Sequence, residues 1–124
     1  MAIINGTNSA DILNGTNDID TLNGLADNDT LNGGLNSDTL NGGLGDDILL
    51  GGEGNDILRG YGGTFETGSP AEFDQMTGGT GSDLFDLRDA TGSPAYINDD
   101  FLGTTASKGF ALITDFTPDL NAGG

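Results

Sequence analysis

The chain has 124 residues, with 20 acidic against 3 basic side chains, a formal net charge of −17, and neither histidine nor cysteine. That composition excludes disulfides, zinc sites and Ser-His or Cys-His catalysis, and it leaves no basic patch to meet nucleic acid or an anionic membrane. So acidic a chain repels itself when compact, and its only metal-binding atoms are carboxylate and carbonyl oxygens, which suit hard cations such as calcium or magnesium.

The opening, MAIINGTNSADIL, has neither a basic n-region nor a long apolar stretch, so no secretory signal peptide is expected. No run approaches the length of a transmembrane helix. Twenty-three glycines with six phenylalanines, two tyrosines and no tryptophan would suit a disordered chain. The order of the residues argues otherwise. Aspartates recur every nine residues at Asp11, Asp20, Asp29, Asp38, Asp47 and Asp56, miss a beat at Phe65, and resume at Asp74 and Asp83. Two residues after each stands a large apolar side chain: Leu13, Leu22, Leu31, Leu40, Leu49, Leu58, Met76 and Phe85. Glycine follows four residues after, from Gly15 to Gly60. Three interlocked series at one period describe a repeat architecture.

The unit is clearest in GGLGDDILL (42–50), GGEGNDILR (51–59) and GGTGSDLFD (78–86). It follows the nonapeptide G-G-x-G-x-D-x-U-x. On these residues the chain resembles the RTX (repeats-in-toxin) family of secreted bacterial proteins, over about residues 5 to 86. Before residue 33, Asn, Asp and Ser take several turn positions, and these are the types that best tolerate a positive φ after glycine. An EF-hand is rejected, since Asp18-Ile19-Asp20 begins like one and fails at Leu22. The Asn-Gly steps do not mark hairpins, because about three residues of strand are available on either side.

The fold expected is all-β: a right-handed parallel β-roll (a β-solenoid) of 18 residues per coil over residues 1–86, with a small β-rich C-terminal cap over 87–124. In each x-Leu-x strand the middle residue faces inward. Strands stack about 4.8 Å apart and leucines from two sheets meet in a thin core. Such a core is marginal without a staple. Registers 18 apart share an edge, so their aspartates converge and need a divalent cation between them. Calcium, with six or more oxygens at about 2.3–2.6 Å, fits a loose carbonyl-rich cage better than magnesium. The resemblance implies the same placement between turns. The expected ligands are Asp11, Asp20, Asp29, Asp38, Asp47, Asp56 and Asp74, with Asp83 on the beat but partnerless. Backbone carbonyls of turn residues such as Gly33, Gly42, Gly45, Gly51, Gly54 and Gly78 complete the set. Aspartate pairs 11–29, 29–47, 20–38, 38–56 and 56–74 give roughly five ions. Asp18, Asp27, Asp46, Asp86, Asp89, Asp99 and Asp100 fall off the beat and are expected to be solvated, or auxiliary ligands at best.

Between residues 60 and 73 the beat continues without its residues, and a loop bulging from the roll is expected. After Phe85 the repeats stop, and ALITDF (111–116) reads as a strand. The following segment resembles the one after the repeats in cyanobacterial-type RTX calcium-binding proteins. Its expected role is to cap the open solenoid end, and it looks unfinished, as if trimmed or completed by a neighbouring copy.

Three functional classes follow. The first is a secreted, calcium-folded structural or interaction module that assembles outside the cell, self-associating or binding another extracellular protein. The resemblance implies type I export for it, with folding triggered by external calcium. The second is the calcium-binding region of a larger secreted toxin, protease or lipase. The third is an ice-binding roll built on Thr21/Asn23, Thr30/Asn32 and Thr39/Asn41, whose rows Ile12, Ile48 and Ile57 interrupt. No catalytic constellation is present, so no enzymatic activity is expected.

Overall fold

The computed structural model describes residues 1–62, 72–87 and 110–115. Among them every regular element is a strand: β1 Ile3–Asn5, β2 Ile12–Asn14, β3 Thr21–Ala26, β4 Thr30–Leu35, β5 Thr39–Leu44, β6 Ile48–Glu53, β7 Ile57–Tyr61, β8 Phe73–Thr80, β9 Leu84–Phe85 and β10 Phe110–Ile113. Odd and even strands sort into two sheets, β1-β3-β5-β7-β9 and β10-β8-β6-β4-β2, with every pairing parallel. This is a parallel β-roll. One strand and one turn occupy nine residues, so consecutive strands alternate between sheets and strands 18 apart pair.

The apolar beat makes the core. Leu22, Leu31, Leu40, Leu49, Leu58 and Met76 are fully buried in one cluster with Leu13, and Ile4 and Phe85 pack against it. Single leucines from each sheet fill the space between them, because only alternate residues of a strand point inward.

Two features differ from expectation. The central strands β3 to β6 are six residues long rather than three, with the ladder running on through the glycines, as at Leu25 against Gly43 and Gly34 against Gly52. The period of 18 also breaks once. β6 pairs with β8 and β7 with β9 at an offset of 27, with Leu49 opposite Met76 and Leu58 opposite Phe85. One whole register is left out of the ladder. In sequence the beat at Phe65 has no carboxylate and the place two residues on is Thr67, so that register lacks both the aspartate and the large apolar residue of the others. The next register, with Asp74 and Met76, takes its place. The expected bulge falls largely on residues 63–71, which lie outside the described residues. Of the expected strand at 111–116, the structure shows Phe110–Ile113, paired parallel to β8; the remainder of the expected cap also lies outside the described residues.

The outer faces carry stacked side-chain rows. Asn23 and Asn41 each donate an amide N–H to the asparagine one coil before, Asn5 and Asn23, both at 2.7 Å. Arg59 continues the row, reaching Asn41 and pairing through Nε with Asp86 at 3.0 Å. Asp86 is thus buried and ion-paired rather than solvated. These asparagines are hydrogen-bonded rungs of a ladder, not merely turn formers. Asp46 accepts the Phe73 N–H at 2.8 Å, and Asp18 lies 3.5 Å from the N-terminal ammonium while remaining exposed.

Truncating the buried Leu40 to Ala should cost about 3 kcal/mol in denaturant unfolding of the folded roll. The same change at Leu44, an exposed residue, should stay within about 0.5 kcal/mol.

Candidate metal centre

Each beat aspartate leads into its strand, with its carboxylate folded back over its own turn. Asp20, Asp29, Asp38, Asp47, Asp56 and Asp74 are almost completely buried. For an ionised carboxylate that is tolerable only with close partners. One partner recurs in four of them. The carboxylate Oδ1 accepts the backbone N–H of the aspartate one coil earlier: Asp29 from Asp11, Asp38 from Asp20, Asp47 from Asp29 and Asp56 from Asp38, all at 2.7–2.8 Å. Aspartates 18 apart are therefore stacked as expected, joined carboxylate to backbone N–H.

Past the skipped register the pairs are not the expected ones. Asp47 donates its N–H to Asp74 and Asp56 donates to Asp83, each at 2.9 Å. The pair 56–74 does not form, and Asp83, expected to stand alone, stacks on Asp56. The 27-residue ladder offset moves both residues one edge across.

The second oxygen has a different fate. Oδ2 of Asp29, Asp38, Asp47 and Asp56 is buried with no hydrogen-bond partner. Each faces a small cradle. A Cβ built on Gly33 would lie 2.6 Å from both Asp38 Oδ2 and Gly51 O. At Gly24 the same point would clash with Asp29 Oδ2 and Gly42 O, and at Gly51 with Asp56 Oδ2 and Gly78 O. At Gly42 it would clash with Asp47 Oδ2 and lie 2.9 Å from Gly60 O. Gly78 stands in the same relation to Asp83 Oδ2. The first glycine of each motif is thus required by space, since none of these has φ in the left-handed region. The second and fourth positions carry that conformation instead, for example Gly43 (+115°) and Gly54 (+141°).

Buried carboxylate oxygens without donors, each set against a backbone carbonyl, form acceptor-only clefts. A cation satisfies both groups where a proton donor is lacking, and a site built only of carboxylate and carbonyl oxygens suits calcium. The residues present therefore fit calcium. Among the described residues no group of three or more acidic side chains is placed to hold one ion, so backbone carbonyls have to complete each cleft. The carbonyls of Gly42, Gly51, Gly60 and Gly78 lie at these clefts, whereas that of Gly33 lies at the Gly15 position beside Asp20, whose Oδ2 is already hydrogen-bonded. Gly54 O instead lies against Gly81 in the stacked turn above, and Gly45 has its place in the turn through its φ of +124°.

Burial pushes the carboxyls of Asp29, Asp38 and Asp56 above their ordinary value, and that of Asp47 to about 7. Backbone N–H donors pull each down in part, while neighbouring aspartates push it up again. Asp20 behaves oppositely. The Thr16 hydroxyl and N–H hold its carboxyl below the usual range against the effect of burial.

Glu72 escaped sequence reading. It is buried, accepts the Gly45 N–H through Oε1 at 3.3 Å, leaves Oε2 without a partner, and is pushed by burial to about 7. The available signal was its position two residues before Asp74, where Asp47, Asp56 and Asp83 are preceded by glycine.

A roll whose turns hold these acceptor clefts has the architecture of a calcium-binding repeat protein. A family model described as the RTX calcium-binding nonapeptide repeat, in four copies, matches residues 5–40 and 33–64. Residues 5–64, just under half of the chain, are therefore RTX calcium-binding nonapeptide repeats. Searches of curated proteins and of solved structures gave no match.

Gly42→Ala should abolish one cleft, lowering the calcium count by one in native mass spectrometry. Without metal, the raised carboxyls set the sign of the pH dependence. Their unfolded value is 3.8, so their stability contribution is complete below that pH and is lost as pH rises, with Asp47 last through about 7. Metal-free roll should therefore gain stability on acidification from about pH 8 to about pH 5. Calcium-loaded roll should lose it, because protons compete with the ion. The growth of β signal in far-UV spectra on acidification in chelator, and thermal melts in calcium, check both signs.

Proposed function

We propose that this protein is a calcium-folded β-roll that works outside the cell as a structural or interaction module. The observation that carries this reading is the set of four buried, donor-less aspartate oxygens, each facing a backbone carbonyl, in a chain of net charge −17. Calcium held by Asp29, Asp38, Asp47 and Asp56, with Asp74 and Asp83 closing the far end, turns stacked like charges into bridged pairs. Such clefts exist only when two coils are stacked, so binding free energy becomes folding free energy.

That coupling suits a protein folded after export into a calcium-rich medium, the route that the repeat family suggests. An interaction role rests on the outer faces, where Ile3, Ile12, Ile48 and Leu84 are exposed among polar residues. The ice-binding reading is weakened by the same rows. Thr30 lies between Ile12 and Ile48 in the ladder, and Asn5, Asn23 and Asn41 are bonded to one another.

Far-UV circular dichroism of the full chain should show an unfolded spectrum in chelator and a β spectrum in calcium, with magnesium much less effective. A spectrum equally ordered with and without calcium would sink the reading. Light scattering tests the assembly role separately: particle size should grow with calcium, and a strictly monomeric loaded protein at high concentration would remove it.

A further inference from the structure

The turns of the roll are of two kinds, and the division follows the residue four positions before each beat aspartate. At Leu25, Gly34, Gly43, Gly52 and Gly79 that residue has φ between +90° and +115°. Its backbone then lies in the sheet ladder, as in Gly34 against Gly52 and Gly52 against Gly79. The two N-terminal turns carry Thr7 and Thr16 there, and neither has positive φ. A β-branched residue strongly resists that conformation.

The consequence is chemical. The Thr16 N–H and hydroxyl both donate to Asp20 Oδ2 at 2.7 Å, and its hydroxyl oxygen accepts the Asp18 N–H at 3.1 Å. Thr7 repeats the arrangement, donating to Asp11 Oδ2 through its N–H at 2.6 Å and its hydroxyl at 2.8 Å, and accepting the Ser9 N–H at 3.2 Å. The oxygen left bare in the later turns is here fully engaged within five residues of chain. It is also drawn back. Asp20 Oδ2 lies 3.3 Å from where a Gly15 Cβ would stand, and Asp11 Oδ2 lies 2.8 Å from the Gly6 position, against 2.6 Å for Asp38 and less for Asp29, Asp47, Asp56 and Asp83. The strands of these registers, β1 and β2, are three residues long because their ladder does not run through the turn.

We propose that Thr7 and Thr16 take the place of calcium in the first two turns, making them a metal-independent N-terminal cap, and that calcium occupancy begins at Asp29. Asp11 and Asp20, which keep the aspartate beat, are structural acceptors and not metal ligands. The inference rests on the calcium reading above and specifies which turns it covers. Solenoids need atypical terminal repeats, since an end coil lacks a neighbour on one side. A turn that satisfies its own carboxylate supplies one without a metal, and it offers the first calcium-dependent coil an ordered edge to pair with.

Native mass spectrometry of the full chain in calcium separates the alternatives, with circular dichroism confirming that each variant folds. Asp38→Asn should bind one ion fewer than the parent, and Asp20→Asn should bind the parent's number. Thr16→Gly frees the Asp20 oxygen and permits the left-handed turn, so it should bind one ion more. Asp18 tolerates the accompanying change, as Asp27 does at the same position with φ of 74°. An Asp20→Asn chain that loses one ion as Asp38→Asn does overturns the proposal. So does a Thr16→Gly chain that folds and gains none, and this second variant decides the matter if Asp20→Asn does not fold. A parent that binds no calcium at all removes the underlying reading instead.

Discussion

A carboxylate oxygen buried against a backbone carbonyl with no proton donor between them is the interaction from which the rest of this structure follows. Two acceptors cannot hydrogen-bond to one another, and burying an ionised group without a partner is among the costlier arrangements in a folded chain. The arrangement recurs at Asp29, Asp38, Asp47 and Asp56. Repeated along two edges of a narrow roll, it turns the turns into a column of unsatisfied charge. A divalent cation converts that liability into cohesion. The thin leucine core, one residue per strand, then has only to set the spacing of the coils while the turn edges hold them together.

The same interaction explains the sequence bias. Two glycine requirements meet in each turn and have different origins. Gly24, Gly33, Gly42 and Gly51 leave room, because a methyl group there would occupy the cleft between the aspartate and the carbonyl of the next coil. Their neighbours at the second and fourth positions supply a left-handed backbone that directs the ladder through the turn. Leu25 stands in that conformation with φ of 90°, an uncommon state for a bulky side chain, next to the threonine turns where the pattern changes. Net charge, glycine content and period are thus three expressions of one site.

Much of this was legible in the residues. The beat of Leu13 to Met76 specified the core, and the 18-residue stacking of Asp11 on Asp29 or Asp38 on Asp56 followed from arithmetic on the period. Arithmetic failed at the skipped register, because a count of residues does not reveal that a stretch with Phe65 and Thr67 in place of Asp and Leu is left out of the ladder. That error moved Asp74 and Asp83 to the wrong edges. Asp86 was misjudged because the row Asn5, Asn23, Asn41, Arg59 is visible as a column only once the coils are stacked. The difference in hydrogen bonding between Asp20 and Asp38 was hidden because the beat is identical in both. What separates them is a threonine against a glycine four residues earlier, a difference in backbone conformation that period alone does not carry.

The central claim concerns atoms, so the most direct measurement is crystallographic. Crystals grown in abundant calcium, with anomalous data collected at a wavelength where calcium scatters anomalously, should show peaks between Oδ2 of Asp29, Asp38, Asp47 and Asp56 and the carbonyls of Gly42, Gly51, Gly60 and Gly78. An ordered roll with those clefts empty, its carboxylates held by backbone N–H groups alone, would contradict the account.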